Sequence, residues 1–349
     1  MHQPLNNIAA VVLAAGKSTR MKSKLNKLLV MFEDKPLVHH VRDACLQAGI
    51  QQIIMVIGPE MQAVKSSLGD SIQYAVQHER LGTGHALMQA RPLLKNFKGD
   101  LVVLVGDHPF ITDESILCLL KHHRASHAAA TLLTAMYEQP PAQGRIVRDS
   151  TGKVIKIVEE KDATPEEIRI KEVNISTYCF DAQVVLPLLD ELGADNVQKE
   201  YYLTDIVAIL LRHHYRVEAI PYEDNKIGVG INSRLDLATA LKIMRDDYLK
   251  KLMLSGVTVI DPASTFVDST VSIGADTIIY PYTYIEKGTT IGPDCVIGPQ
   301  AKLSASQIGK GAKIQFAVID NCEIKDGARV GPFEYIKDGM PVLNRNQIS

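Results

Sequence analysis

Apolar positions follow three rhythms along this chain. Up to about residue 232, short and nearly continuous apolar runs alternate with stretches of helical spacing. The runs IAAVVLAAG (8–16), QQIIMVIG (51–58), IQYAVQ (72–77), LVVLVGD (101–107) and AAATLLTAM (128–136) read as strands. Between them, KPLVHHVRDACLQAG (35–49), GHALMQARPLLK (84–95) and DESILCLLKHHRA (113–125) read as helices. In the first helix Leu37, Val41, Cys45 and Ala48 fall three or four apart, with Pro36 near the start and Gly49 past the end. Strands apolar on both faces and separated by helices predict a doubly wound α/β domain with a mostly parallel sheet. Ligands of such sheets bind beyond the carboxyl ends of the strands, where residues 16–27 and Gly106-Asp107-His108-Pro109 fall.

The second rhythm is a single amphipathic helix over 233–256, with Leu237, Leu241, Met244, Tyr248 and Leu252 on one stripe and Gly256 closing it. It reads as a connector. The third has a period of six: Val267, Ile273, Ile279, Ile285, Ile291, Ile297 and Leu303 follow without a break. After a slip, Ile308, Ile314, Val318, Ile324, Val330 and Ile336 continue it, and small residues such as Gly274, Gly292 and Gly298 often follow the aliphatic one. This period predicts a triangular parallel β-helix of roughly four coils, each short strand pointing one aliphatic residue into the prism. The expected organisation is a first domain over 1–232, the connector over 233–256, a short β-helix over 257–337 and a polar tail over 338–349. Pro341 and that tail would blunt the open edge.

Composition narrows the function classes. Lys plus Arg number 38 and Asp plus Glu 40, a net charge of −2 in 349 residues, so no global field draws in nucleic acid or an anionic membrane. The five cysteines (Cys45, Cys118, Cys179, Cys295, Cys322) are scattered and form no CxxC pair, which predicts buried, reduced thiols. The run Ile8–Ala15 has no basic flank and is too short to span a bilayer, so a cytoplasmic protein is expected. The pairs His39-His40, His122-His123 and His213-His214 point apart on a helix and read as surface or half-buried residues rather than zinc ligands.

Residues 11–27, VVLAAGKSTRMKSKLNK, contain Gly-Lys-Ser-Thr, yet the position five before Gly16 is Val11. The spacing GxxxxGK[ST] of the ATPase phosphate loop is therefore absent. Five basic residues (Lys17, Arg20, Lys22, Lys24, Lys27) and no acidic one follow the small turn Ala14-Ala15-Gly16. Small side chains admit close approach of backbone N–H groups, and cations offset polyphosphate charge. A solvated basic loop is the alternative, but its place at a strand end favours a nucleoside triphosphate. Asp107 ends a buried strand, where a carboxylate is costly unless paired or metal-bound. Read alone, Gly82 and Thr83 equally fit a helix start, Asn232 a helix cap, and Glu159 a solvated charge cluster with Glu160 and Lys161.

The segments LAAGKSTRMKSKLNKLL, QHERLGTGHA, VGDHP, GRI, VEEKDA, EYYLTDI and GVGINSR occur in that order. Together they resemble the bacterial bifunctional N-acetylglucosamine-1-phosphate uridyltransferase/glucosamine-1-phosphate acetyltransferase family over the first domain, the connector and the start of the β-helix. The resemblance implies a left-handed β-helix and an Mg²⁺-dependent transfer of uridylyl from UTP to N-acetylglucosamine 1-phosphate, giving UDP-N-acetylglucosamine and pyrophosphate. It implies that Ala14, Ala15 and Gly16 contact the nucleotide through backbone groups, Arg20 and Lys27 hold phosphates, and Gln77, Gly82 and Thr83 meet the uracil. It further implies Asp107 and Asn232 as metal ligands, and Gly144, Glu159, Asn174 and Thr204 at the sugar; Lys22, Lys24 and His108 receive no role.

Several positions depart from the family pattern. Asn26 stands where a proline is usual, a change expected to loosen the turn before Lys27. Val105 and Gln143 replace usual aromatics, and Ile175-Ser176 replace a usual Thr-Gly, all near the sugar side. Another hexose 1-phosphate or nucleotide, or a catalytically idle assembly relative, are the alternatives. In the family, acetyl transfer uses a histidine in later coils; the sequence has no histidine after His214, so acetyl transfer is expected to be absent. The coils are expected either to support a homotrimer or to stay as a capped spacer, with no nucleic acid or membrane partner.

Overall fold

The computed structural model describes residues 7–338, so Pro341 and residues 339–349 of the expected tail lie outside the described residues. The chain divides into two compact units, one ending at Leu237 and one beginning at Ala238.

The first unit is built on a nine-stranded sheet. In chain order its elements are β1 (Ile8–Leu13), the small pair β2 (Met31–Phe32) and β3 (Lys35–Pro36), α1 (Leu37–Gln47), β4 (Gln52–Ile57), α2 (Gln62–Leu68), β5 (Gln73–Val76), α3 (Thr83–Ala90) and β6 (Asp100–Val105). There follow α4 (Asp113–Ser126), β7 (Ala130–Met136), β8 (Arg145–Arg148), β9 (Val154–Val158), α5 (Pro165–Ile168), β10 (Glu172–Asp181), α6 (Ala182–Leu188), α7 (Ile206–Arg212) and β11 (Val217–Pro221). The order across the sheet is β11-β7-β10-β6-β1-β4-β5. β6-β1-β4-β5 are all parallel. The strands read from apolar runs are all present. Alternate residues of β1 enter opposite cores: Ala9 and Val11 join one cluster, Ile8, Ala10 and Val12 the other. Two covered faces explain the unbroken apolar run.

β10 runs antiparallel between β6 and β7 and carries the β8–β9 hairpin on its flank. A register shift between Asn174 and Thr177 kinks it. The bulge aims Asn174 and Tyr178 toward the side where β6 ends, and such irregularities often re-aim side chains beside sites.

α8 (Arg234–Leu254) spans the division between the units. Its stripe differs from the expected one: Leu252 is buried, but the other buried positions are Ala240 and Leu249, while Leu241 is 40 % exposed. In the second unit, Leu249 and Leu252 pack on the β-helix core.

That unit has three parallel sheets of five, five and four short strands. Partners lie one coil apart, as in Ile279 on Ile297 and Leu303 on Ile319. The six-residue ladder is as read from Val267 to Leu303 and through the slip to Ile308. One position is corrected. The inward residue is Ile319, wholly buried, whereas Val318 points out and is 38 % exposed. The step from Ile314 to Ile319 is five residues, because Phe316 takes the left-handed corner, with φ of 46°, two residues after Ile314, where Gln300 takes it three after Ile297.

Candidate active site at the carboxyl end of the sheet

After β1 the backbone turns away from the sheet, and Ala14 N donates to Val56 O at 2.8 Å. Gly106 follows β6 on the neighbouring strand and donates to Leu13 O at 3.0 Å. A Cβ on Gly106 would sit 3.3 Å from Ala14 and Leu28, so small residues let the two strand ends close. Asp107 comes next, at the floor of a cavity of about 460 Å³.

Three segments far apart in sequence meet around Lys27. Lys27 and Asp107 line the cavity, while Arg20 and Asn232 join them by hydrogen bonds and are not on its wall. Lys27 Nζ donates to Asp107 Oδ2 and, at 2.7 Å, to Asn232 Oδ1. Arg20 donates to the same Asn232 oxygen at 2.8 Å. Burial pushes the Asp107 carboxyl up, and the Lys27 ammonium, with His108 and a backbone hydrogen bond, outweighs it, leaving Asp107 below the usual carboxylate range. Lys22 and Lys24, which receive no role, are exposed.

Local capping sets these positions. The Asn26 side chain accepts from Leu28 N at 3.0 Å, and Ser18 Oγ accepts from Lys27 N at 3.3 Å. Asn26 thus fastens the turn it was expected to loosen, doing by a hydrogen bond what a proline would do by its ring. Asn232 does not cap α8 with its side chain. Asp236 Oδ2 accepts from Asn232 N and Ser233 N, and Ser233 Oγ accepts from Asp236 N at 3.2 Å. Those bonds leave the Asn232 amide oxygen to Lys27 and Arg20. His108 is buried beneath this loop, and a Cβ on Gly230 would approach its Nε2 to 2.6 Å.

Ala14, Ala15, Gly16, Lys27, Gln77, Gly82, Thr83 and Asp107 all line the larger cavity. Gln77 is buried; its Nε2 donates to Gly82 O at 3.1 Å and lies 3.1 Å from His85 Nδ1. Gly82 has φ of 109°, and a Cβ there would meet Tyr201 O at 2.5 Å. Only glycine fits. Thr83 opens α3 but caps nothing; its Oγ1 accepts from Leu203 N at 3.0 Å, tying the helix start to the loop that follows Glu200.

A second cavity of about 200 Å³ adjoins the first and shares Leu13, Thr83, Val105 and Glu200 with it. Glu159 and Thr204 line it and are joined by a 2.9 Å hydrogen bond from Thr204 Oγ1. Burial pushes the Glu159 carboxyl up, against the lowering effect of the Thr204 hydroxyl. Gly144 and Asn174 stand behind this cavity rather than on its wall. Asn174 donates to Tyr178 OH at 2.6 Å, and Tyr178 forms the wall; a Cβ on Gly144 would crowd Ile157 at 3.0 Å.

Sequence reasoning passed over several wall residues. Arg80 lines the larger cavity, donates from Nε to Ala15 O at 2.6 Å and pairs with Glu60. Glu200 lines both cavities, and Tyr178, Gln198 and Tyr202 line the smaller together with Ser176, which the sequence marks on the sugar side. The motif QHERLGTGHA contains Arg80, but only the fold shows that its guanidinium reaches the first loop.

Two cavities of unlike size at a sheet's carboxyl end, one lined by Lys17, Lys27, Arg80 and the Asp107 carboxylate, suit the joining of a polyphosphate to a smaller phosphate. Comparison with known proteins agrees. Residues 9–240 match the nucleotidyl transferase family, and 270–305 match the bacterial transferase hexapeptide (six repeats) family. Among solved structures, a putative glucose-1-phosphate thymidylyltransferase from Bacillus anthracis shares this fold (TM-score 0.57, 23 % identity, 68 % of this chain and 96 % of that one). The protein is a nucleotidyltransferase carrying a hexapeptide-repeat β-helix. The bifunctional protein GlmU of Geobacillus sp. (strain WCH70) is 47 % identical over 333 residues, 95 % of this chain and 72 % of the relative. The GlmU protein of Acetivibrio thermocellus is 44 % identical over 339 residues, 97 % and 73 % respectively. The chain belongs to the GlmU family.

Nucleotidyltransferases of this family are generally divalent-metal dependent. The donor set fits such an ion: the Asp107 carboxylate and the Asn232 amide oxygen are both held by one ammonium, so two hard oxygens face a common point. Among the described residues, no helix is long and apolar enough to cross a membrane.

Proposed function

We propose that this protein transfers uridylyl from UTP to N-acetylglucosamine 1-phosphate, releasing pyrophosphate and UDP-N-acetylglucosamine. One observation carries the reading: Lys27 and Asp107 line the cavity that opens onto Ala14-Ala15-Gly16, and Lys27 joins Asp107 to Asn232, whose oxygen Arg20 also holds.

In this reading the triphosphate lies along the loop 14–27, and the uracil sits against Gln77, Gly82 and Thr83. The Gln77 amide nitrogen is engaged by Gly82 O, which presents its oxygen to the N3–H of uracil. Glu159 and Thr204 hold the sugar hydroxyls in the smaller cavity, with Asn174 and Gly144 behind them. A phosphate oxygen of the sugar attacks the α-phosphorus in line; that P–O bond forms as the bond to the bridging oxygen breaks, and pyrophosphate leaves with the electron pair. Asp107 and Asn232 would hold Mg²⁺, which supplies charge neutralisation on the phosphates when bound. Lys27 and Arg20 offset the repulsion of two approaching anions.

A different hexose 1-phosphate is the reading that Val105 and Ser176, both on the smaller cavity's wall, would favour. The free thiols of all five cysteines support action in the reducing cytoplasm, and the prismatic β-helix supports a homotrimer. A pyrophosphate-release screen of UTP, CTP, dTTP and ATP against N-acetylglucosamine, glucosamine and glucose 1-phosphates tests the assignment. UTP with N-acetylglucosamine 1-phosphate should exceed every other pair; a greater rate with another pair overturns it.

A further inference from the structure

A second cluster of ligand atoms lies at the opposite end of the sheet from the nucleotide cavity. Asp100 opens β6, Cys179 lies on β10 beside it, and His123 reaches down from α4. One oxygen of Asp100, one ring nitrogen of His123 and the Cys179 sulfur lie within 4.8 Å of one another. Asp107, at the other end of the same strand, is seven residues away, roughly 20 Å along an extended chain.

The spacing is informative. His123 Nε2 and Asp100 Oδ1 are 3.8 Å apart, too long for a hydrogen bond. Two ligands at ~2.0–2.1 Å from a tetrahedral ion stand about 3.4 Å apart, so a slight contraction brings both onto one metal. The other ring nitrogen, Nδ1, lies 3.0 Å from Thr131 Oγ1 in the buried interior, which fixes the ring and aims Nε2 at the cluster. Arg124 holds the second Asp100 oxygen at 2.6 Å, orienting the carboxylate. Asp181 stands opposite Asp100 in the ladder, and its carboxylate caps α6 by accepting from Gln183 N at 2.9 Å. His123 and Cys179 are buried, while the Asp100 side chain is 18 % exposed and gives an ion a way in. The sequence reads His123 as a surface or half-buried residue and not a zinc ligand; the fold instead buries it, with its partners on β6, β7 and β10 rather than at its neighbour His122.

We propose that Asp100, His123 and Cys179 form a structural site for a zinc-class divalent ion. The sulfur ligand selects a borderline ion over Mg²⁺, which distinguishes this site from the all-oxygen donors at Asp107 and Asn232. Binding converts the Cys179 thiol to a thiolate, with its proton passing to solvent. Zn²⁺ with one thiolate, one carboxylate and a neutral imidazole carries no net charge, which suits a buried place. The ion clamps α4 to β6 and β10 and acts on stability rather than on the chemistry at the far end of the sheet.

Co²⁺ added to the metal-free, reduced protein tests the site, because only a cysteine ligand gives the near-ultraviolet thiolate-to-cobalt absorption. The expected result is one equivalent of Co²⁺ developing that band, bleached stoichiometrically by Zn²⁺. Cys179→Ser should abolish the band, and Asp100→Asn should weaken Co²⁺ binding roughly tenfold or more. Zn²⁺ should raise the unfolding temperature of the wild type but not of Cys179→Ser. A folded wild type with no thiolate band overturns the proposal whatever the variants do, as does a band that persists in Cys179→Ser. Neither outcome bears on uridylyl transfer, which is read separately.

Discussion

Replacing Lys27 with methionine isolates the contact on which the site turns. Lys27 and Asp107 keep only 12 % and 15 % of their side-chain surface exposed, so solvent does little to screen the pair. Methionine retains the apolar stem and removes the ammonium, leaving Asp107 charged, largely buried and without its cation. Breaking a buried pair this way costs about 3 kcal/mol, the low end of the usual range because some water reaches Asp107. For a unit of this size that lowers the unfolding temperature by roughly 6–12 °C. In an Asp107→Asn background the same change should cost only about 1 kcal/mol, since no uncompensated charge remains, giving a coupling of about 2 kcal/mol. Thermal unfolding followed by circular dichroism near neutral pH, without metal or nucleotide, measures all four proteins. Equal costs of Lys27→Met in both backgrounds would show that the ammonium does not neutralise Asp107. Asn232 should stay oriented in every variant, because Arg20 also donates to its oxygen.

Three further outcomes concern Glu159 and the β-helix core. Glu159 is pushed up by burial, so its folded form binds the proton more tightly than the unfolded chain, and its contribution is fully present only below the unfolded value and is lost as pH rises through the folded one. Glu159→Gln should therefore unfold at a higher temperature than wild type at pH 8, with the difference vanishing near pH 4; an unchanged difference across that range refutes the sign. The same variant should raise the KM for the sugar phosphate roughly fivefold to tenfold, the difference between a charged and a neutral acceptor. In the β-helix, Ile319→Ala should cost about 2–5 kcal/mol and Val318→Ala under about 0.5, in urea unfolding; the reverse order would restore the strict six-residue count.

The sequence shows the parallel strands and the six-residue ladder plainly, because each buries one residue class at a fixed period. It hides β10, whose run EVNISTYCFD buries Asn174 and Thr177 among apolar residues and is broken by a bulge, so no period survives. Val318 and Ile319 are both aliphatic, and only the corner at Phe316 decides which one turns inward. Around the site, the glycines and the charged motif positions were legible, whereas the reach of Arg80 to Ala15 and the double use of Glu200 arise from tertiary contacts. Asn26 was misread for a related reason: its departure from proline is visible in the sequence, but its side-chain bond to Leu28 N is not.

Pyrophosphate release from UTP and N-acetylglucosamine 1-phosphate at saturating Mg²⁺, compared between wild type and a folded Asp107→Ala, tests the central claim most directly. The arrangement of Asp107 with Lys27 and Asn232 predicts turnover in the wild type and a fall of roughly a hundredfold or more in the variant. A variant rate within twofold of wild type, with native circular dichroism, would contradict it.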